Sequence, residues 1–183
     1  NPKITKIHNF PKISEFNKSA KINSKTICYV GLISFHRGLK EMCNAIQKTN
    51  GKLTIGGTFA NKKTKKYLTE NKNSQITHLG FLNRESINKL FSTSCAGLMI
   101  PHPMDNMING YPVKSFEYMS AGLPIIISDF PLFRSLFEKF NCAIFVNPNN
   151  IKEIKNAMEW ILKNPEEAKT MGESGFNAVK SHY

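Results

Sequence analysis

The sequence predicts an α/β fold, a doubly wound parallel sheet of about six strands with helices on both faces. From Thr26 onward, short apolar runs alternate with segments of helical periodicity, and such alternation favours parallel strands joined by right-handed crossovers. The stretch Tyr111–Ser128 (YPVKSFEYMSAGLPIIIS) holds the clearest helix–strand unit. Pro112 suits a first helical turn, and Gly122 ends the helix. Leu123 then begins an apolar run that is typical of a buried parallel strand.

The first half of the chain contains three predicted strand–helix pairs. Each strand is a short, largely apolar run, and the segment after it has the spacing or the composition of a helix. Asn83 supplies an N-cap for the third helix. The pairs are Thr26–Ile33 with Leu39–Lys48, Lys52–Ile55 with Lys63–Glu70, and Gln75–Phe81 with Arg84–Phe91.

The second half continues the alternation. Pro101 and Pro103 close the fourth apolar run, and the helix that starts at Pro112 leads to the fifth. The remaining predicted elements are the strands Cys95–Ile100, Leu123–Ser128 and Cys142–Val146, a short helix Leu132–Lys139, and two closing helices, Ile151–Lys163 and Pro165–Lys180.

Length and composition suit one ordinary domain with a full hydrophobic core. The 183 residues are 40% hydrophobic and 21% charged, which excludes a disordered chain. Residues 1–24 lack periodicity and are rich in Lys, Asn and Ser, so we predict a linker there and a single domain over residues 25–183. No apolar run approaches the length of a membrane helix, and the start resembles no signal peptide. We therefore expect a cytoplasmic protein, with the inner face of the membrane as an alternative location.

The net charge of +12 comes from 25 Lys and Arg against 13 Asp and Glu. Most lysines are scattered, which favours a solvated surface, and this explanation also covers the densest cluster, Lys62–Lys66. The same charge would attract anions: a nucleoside-diphosphate donor, an acidic acceptor, or a membrane surface in peripheral contact. No zinc-finger, helix-turn-helix or ribonucleoprotein motif is visible, so nucleic acid is not an expected partner.

The four cysteines, Cys28, Cys43, Cys95 and Cys142, are far apart in the chain, and three lie in strand-like runs. This pattern predicts free thiols in a reducing compartment rather than a zinc site.

The first loop after a strand, Gly31–Gly38 (GLISFHRG), is a candidate phosphate site. In a doubly wound sheet, ligands bind beyond the carboxyl ends of the strands, where the strand order reverses. Gly31 lets the backbone approach closely, and the helix after Gly38 directs its first amides at the loop. Arg37 could clamp a phosphate with two hydrogen bonds; the alternative is a solvated arginine at a helix start.

Glu117 is a carboxylate in the middle of a helix that must pack on the sheet. Because an unpaired buried carboxylate is costly, we expect it to face a partner, water or a ligand. Its neighbours Phe116, Tyr118 and Met119 argue against the alternative, which is a surface position.

The predicted loop before this helix is Asn106–Lys114 (NMINGYPVK). The backbone N–H groups of residues 108–111 would form a nest for an anion. Lys114, at the helix start, would help to neutralise the bound charge.

The block YPVKSFEYMSAGLP resembles the C-terminal half of retaining, nucleotide-sugar-dependent glycosyltransferases with two Rossmann-like domains, the GT-B architecture, and in particular family four. In that family the corresponding helix carries the second Glu of an E-x7-E motif, and a G-x-P signature follows it. Glu117 matches that Glu, and Gly122-Leu123-Pro124 matches the signature. Asn109 stands where the first Glu would fall, and its amide can bond a sugar hydroxyl but carries no charge.

The resemblance extends to other segments. Residues 8–16 (HNFPKISEF) resemble the family's connection between its two domains. Arg37-Gly38 matches a Lys-Gly pair of the family in charge, whereas Leu32 replaces an arginine. Gly80-Phe81-Leu82 resembles the loop around the nucleobase, although Phe81 suits a core position equally well.

The resemblance implies a donor-binding domain that takes a UDP- or GDP-sugar, without a metal, for transfer to a polysaccharide or glycolipid. Glu117 would bind the ribose, and Arg37 and Lys114 the diphosphate. An N-terminal acceptor domain would hold the catalytic base, so this chain alone would bind the donor, hold no catalytic residue and transfer nothing. The residues implied to bind the donor are Gly31, Arg37, Gly38, Phe81, Ile108, Asn109, Gly110, Tyr111, Lys114 and Glu117.

Two alternatives stay open. Nucleotide-sugar epimerases resemble these transferases in architecture and in the C-terminal diphosphate site. A degenerate, non-catalytic basic scaffold is favoured by Asn109 and Leu32, and retained nucleotide binding would argue against it.

Overall fold

The computed structural model describes residues 15–16 and 24–182. Residues 1–14 and 17–23 of the predicted linker lie outside the described residues. The strands are β1 (Thr26–Val30), β2 (Lys52–Gly56), β3 (Ile76–His78), β4 (Ala96–Met99), β5 (Ile125–Ser128) and β6 (Ala143–Val146). The α-helices of the described part are α1 (Leu39–Ile46), α2 (Lys62–Asn71), α3 (Arg84–Ser92), α4 (Asp105–Ile108), α5 (Val113–Ser120), α6 (Pro131–Phe137), α7 (Ile151–Lys163) and α8 (Pro165–His182).

All six strands pair in parallel in one sheet, in the order β3-β2-β1-β4-β5-β6. This order confirms the predicted doubly wound sheet. It reverses between β1 and β4, whose register pairs Ile27 with Ala96 and Cys28 with Gly97. Ligands of such sheets bind beyond the carboxyl ends of the two strands that flank the reversal.

Helices cover both faces of the sheet, as predicted. On one face α1, α2 and α7 bury apolar side chains such as Met42, Leu68 and Met158. On the other face α3, α5, α6 and α8 bury a second cluster, which is rich in aromatic residues such as Phe91 and Phe133. Burial on both sides explains why the central strands are continuously apolar.

Helix α5 ends as the sequence predicts. Gly122 has a φ of +70°, in the left-handed region that favours glycine. Its N–H donates to the carbonyl of Met119, and the N–H of Leu123 donates to the carbonyl of Tyr118, each at 2.9 Å. These two bonds close a Schellman motif. At the other end, Pro112 is the N-cap of α5 and not a residue of its first turn.

The largest differences from the predicted strand ends are at β1 and β3, and one predicted loop also differs. β1 stops at Val30 because the next residue, Gly31, has a φ of +154° and turns the chain. β3 ends at His78, shortly before Gly80 with its φ of +72°. The predicted loop Asn106–Lys114 is wrong over residues 106–108, because these belong to α4 (Asp105–Ile108). The aspartate at its start is favourable there, but a single helical turn leaves no apolar periodicity in the sequence.

No helix in the described part of the chain is long and apolar enough to cross a membrane. The four cysteines are free, as predicted, and Cys28, Cys43 and Cys142 are fully buried. Burial raises the pKa of each of the four thiols to about 12.

Candidate functional site

Tyr118 of α5 bridges β1 and β4 beyond their last paired residues, where the two strands separate. Its hydroxyl accepts a hydrogen bond from the N–H of Val30 at 3.0 Å and donates to the carbonyl of Leu98 at 3.3 Å. Its ring lies on Gly97, where an added Cβ would come within 2.4 Å of it. Helix α5 therefore packs directly on the reversal in strand order. Because a crossover helix runs antiparallel to its strands, the N terminus of α5 lies toward their carboxyl edge.

Two glycine contacts bring the loops of this edge together. A Cβ at Gly57 would lie 1.8 Å from the carbonyl oxygen of Gly31, so the loops after β1 and β2 touch through their backbones. Gly38 has a φ of +81°, and a Cβ there would lie 2.5 Å from the carbonyl oxygen of Ile100. The start of α1 is thus in contact with the end of β4, at a position where only glycine fits.

Arg37 ends a 3₁₀ turn over Phe35–Arg37 and is half-buried. Its guanidinium lies beside the hydroxyl of Tyr29. Burial raises the pKa of that phenol to about 12, and the arginine partly opposes the rise. The Tyr29 hydroxyl also donates to the carbonyl of Leu32 at 2.7 Å. The side chain of Arg37 is therefore held in the loop that follows β1.

A histidine–carboxylate pair that the sequence does not predict joins the loop after β4 to α1. His102 Nε2 lies 3.1 Å from Glu41 Oε2. The backbone N–H of His102 also donates to the carbonyl of His36 at 2.9 Å. Residues so far apart in the chain share no local pattern, so the sequence holds no signal for this pair.

Glu117 is buried, with 6% of its surface exposed, and it pairs with two cations. Lys114, one helical turn earlier, places its Nζ 2.7 Å from Oε2. Arg84, the first residue of α3, places its Nη1 3.7 Å from Oε1. The carboxylate thus has the partners that its burial requires, and the alternative of a surface position is wrong.

The sequence does not predict that Arg84 pairs with Glu117. Its guanidinium also pairs with Glu15 at 3.2 Å and lies 5.1 Å from the centre of the Phe16 ring. One feature of the sequence could have indicated it: Arg84 directly follows the Asn83 cap. The helix that follows β3 must begin at the carboxyl edge of the sheet, so Arg84 lies at the edge where ligands bind.

The predicted anion nest is wrong for two of its amides. The N–H groups of Ile108 and Asn109 donate to carbonyls one turn earlier, at 2.8 Å and 3.2 Å, and so belong to the hydrogen bonding of α4. The exposed side chain of Asn109 donates to the carbonyl of Asp105 at 3.2 Å. Gly110 and Tyr111 follow and carry the chain into α5.

Phe81 lies on the surface with 79% of its area exposed, so its interpretation as a core residue is wrong. It follows Gly80, whose carbonyl accepts a hydrogen bond from the N–H of Gly57 at 2.7 Å. The next residue, Leu82, turns inward and packs on Gly56. The Phe81 ring is therefore exposed to solvent just beyond the end of β3.

The chain matches one known protein family over most of its length. Residues 11–178 match the family described as glycosyl transferases group 1. The chain belongs to this family. A search of the curated proteins found no match for this chain.

Solved structures share the fold of this chain at low identity. HepE from Anabaena, solved with UDP, superposes with a TM-score of 0.82 at 14% identity, over 97% of this chain and 52% of its own. Sucrose-phosphate synthase from Thermosynechococcus elongatus superposes with a TM-score of 0.78 at 17% identity, over 94% of this chain and 46% of its own.

A third similar structure is an isolated domain. It is the C-terminal domain of LpcC, a group 1 glycosyltransferase from Francisella tularensis, with a TM-score of 0.77 at 13% identity. It covers 94% of this chain, and the match takes in 98% of its own length. The chain thus spans roughly half the length of the two larger proteins and nearly the whole of this domain. Its fold is that of the C-terminal half of the GT-B architecture.

Proposed function

We propose that this chain is the donor-binding domain of a glycosyltransferase that uses a nucleoside-diphosphate sugar. The observation that carries the proposal is the buried carboxylate of Glu117 on the helix that packs against the reversal in strand order. Such a carboxylate accepts hydrogen bonds from the two vicinal hydroxyls of a ribose. Lys114 engages Oε2, whereas Oε1 lies 3.7 Å from Arg84, beyond hydrogen-bond distance. We expect a ribose hydroxyl to reach Oε1.

The diphosphate would bind between the starts of α1 and α5. Both N termini lie toward the carboxyl edge of the sheet, where the helix dipole favours an anion. Arg37 and Lys114 would supply a cation on each side, and Gly31 and Gly38 would leave the backbone accessible. This arrangement would stabilise the charge that develops on the leaving diphosphate, so the scheme requires no metal ion.

The sugar and the base would occupy opposite ends of the site. Asn109 would bond a sugar hydroxyl through its exposed amide, and Ile108, Gly110 and Tyr111 would line the same loop. The exposed ring of Phe81 would offer an apolar platform to the base. HepE was solved with UDP and with UDP-glucose, which supports a uridine nucleotide as the first donor to test, with GDP as the alternative.

The acceptor would be a polysaccharide or a glycolipid. It would bind to an N-terminal domain of the GT-B architecture, which would also carry the catalytic base, so the present chain would bind the donor without transferring the sugar. A location in the cytoplasm at the inner face of the membrane suits the net charge of +12, which favours anionic acceptors and lipids.

Calorimetric titration of the chain with UDP and GDP tests the proposal. We expect saturable binding of one nucleotide, weakened roughly tenfold by Glu117→Gln, because a neutral amide accepts hydroxyl hydrogen bonds less strongly than a carboxylate. Glu159→Gln is the matched control, since Glu159 also pairs with two cations, Lys155 and Lys163, but lies on α7. Absence of binding would contradict the proposal and favour the scaffold alternative. Equal binding by Glu117→Gln would contradict the proposed site.

A further inference from the structure

We propose that Arg84 is a positioning residue that couples the docking of Glu15 and Phe16 on α3 to donor binding at Glu117. The inference rests on the proposed function. Arg84 lies between two carboxylates, Glu15 and Glu117, that come from distant parts of the chain, and it pairs with both.

Four contacts fix Glu15 and Phe16 to α3. The Phe16 ring is buried, with 6% exposed, and stacks on Phe91 with ring centres 5.8 Å apart. Asn88 Nδ2 donates to the carbonyl of Glu15 at 2.6 Å. Glu15 Oε2 lies 3.2 Å from Arg84 Nη2, and the guanidinium lies over the Phe16 ring. A segment that precedes β1 is therefore docked on the helix that begins with Arg84.

The two carboxylates hold the guanidinium unequally. Nη2 is close to Glu15, at 3.2 Å, whereas Nη1 remains 3.7 Å from Glu117 Oε1, which is too long for a hydrogen bond. The guanidinium carbon also lies over the Phe16 ring, 5.1 Å from its centre, and this cation–π interaction favours the same position of Arg84. Arg84 thus gives Glu117 a nearby positive charge without occupying the oxygen that the ribose would use.

Undocking of Glu15 and Phe16 would remove this restraint. A guanidinium readily forms a two-bond pair with a carboxylate. Once released, Arg84 would close on Glu117 and compete with the ribose hydroxyls. The docked segment therefore favours donor binding, and by linkage a bound donor favours the docked segment by the same factor. Since Glu15 and Phe16 lie in the predicted interdomain connection, donor occupancy would influence how that connection is held.

The test is a cycle of UDP titrations on the whole chain of 183 residues. Glu15→Gln is measured in the natural sequence and in an Arg84→Met background. We expect Glu15→Gln to weaken UDP binding by about threefold to fivefold when Arg84 is present, which is the scale of a partly exposed ion pair. With methionine at position 84, we expect no further effect. Glu138→Gln is the matched control, because Glu138 pairs with Arg134, which lies over a phenylalanine ring elsewhere in the fold.

Hydrogen exchange supplies a second readout that a merely structural contact would not move. We expect the backbone amides of Glu15 and Phe16 to exchange more slowly when UDP is added, and Glu15→Gln to remove this slowing. If the contact only stabilised the fold, Glu15→Gln would lower the melting temperature, but UDP would not change the exchange of these amides.

The outcomes separate this inference from the proposed function. If the natural sequence binds UDP and Glu117→Gln weakens the binding, then unchanged or tighter binding by Glu15→Gln overturns the inference alone. An equal loss in both Arg84 backgrounds does the same. Failure of the natural sequence to bind a nucleotide, or of Glu117→Gln to weaken it, overturns the proposed function and the inference together.

Discussion

The hydroxyl of Tyr118 and the backbone N–H of Val30 form a hydrogen bond of 3.0 Å at the point where β1 and β4 part. Together with the bond from Tyr118 to the carbonyl of Leu98, it ties the helix that carries Lys114 and Glu117 to the two central strands. Burial raises the pKa of the Tyr118 phenol well above its ordinary value, so the hydroxyl stays neutral and can donate and accept. The site carboxylate is therefore positioned by the residue next to it in the chain.

Tyr118→Phe should lower the free energy of unfolding by about 1–3 kcal/mol, because the buried N–H of Val30 would lose its acceptor. Urea denaturation monitored by fluorescence measures this change. Tyr67→Phe, on the half-buried ring of α2, serves as the control and should have a smaller effect. An unchanged stability of Tyr118→Phe would show that the hydroxyl does not tie α5 to the sheet.

Gly38→Ala should destabilise the protein more than Gly80→Ala does. Both glycines have a positive φ, +81° and +72°, so alanine at either should cost about 1–2 kcal/mol in backbone strain. At position 38 the new Cβ would also meet the carbonyl of Ile100, whereas at position 80 no atom lies within 4 Å. Denaturation of the two variants measures the difference. Equal losses would mean that the loop after β1 can move away from β4 without cost.

Phe81→Ala should weaken nucleotide binding and leave stability nearly unchanged. The ring is 79% exposed, so its removal creates no cavity, while loss of a stacking surface for a base should cost about 1–3 kcal/mol of binding. Titration with the nucleotide that binds, together with a melting curve, checks both parts. Trp160→Ala, at an exposed aromatic residue of α7, should leave the affinity as it is. Loss of stability without loss of affinity in Phe81→Ala would contradict a role in base binding.

The stabilising effect of the Cys43 thiol should fall at alkaline pH. Burial raises its pKa from the ordinary 9.0 to about 12, with a further contribution from Glu41. Because the folded-state pKa is the higher one, the contribution is complete below pH 9.0 and is lost as the pH rises toward 12. The stability difference between the natural sequence and Cys43→Ala should shrink by about 1.4 kcal/mol between about pH 8 and about pH 10.

Urea denaturation at the two pH values measures that difference. The cavity left by Cys43→Ala costs the same at both values, so only the titration changes. A difference that stays constant would mean that the thiol loses its proton as easily in the folded protein as in the unfolded one.

Local patterns in the sequence predict the order of the strands and helices. They predict the ends of these elements less accurately. Alternation of apolar runs with helical spacing predicts all six strands, and the signal is clearest for the central strands, which are buried on both faces. The end of β1 differs because Gly31 turns the chain while Ile33 still resembles a strand residue, and Ile33 does return for a single bridge to Phe59. Helix α4 is missed because one turn carries no periodicity.

The site is predictable only where its residues are neighbours in sequence. Glu117 and Lys114 lie one helical turn apart, so a pattern on a single helix relates them. Arg84 and Glu15 come from segments separated by β1, β2 and β3, and only the folded sheet brings their charges together. The exposure of Phe81 is also not predictable, because composition does not tell whether an aromatic residue after a strand packs in the core or faces solvent.

The proposed role of Glu117 is tested most directly by comparing the affinity of the chain for UDP with that for its 2′,3′-dideoxy analogue. In the natural sequence we expect loss of the two hydroxyls to weaken binding by roughly tenfold to a hundredfold, because they would donate to the carboxylate. Glu117→Met fills similar space without an acceptor oxygen, so in that variant the two ligands should bind almost equally. An equal loss in both proteins would place the ribose elsewhere and contradict the proposed donor site.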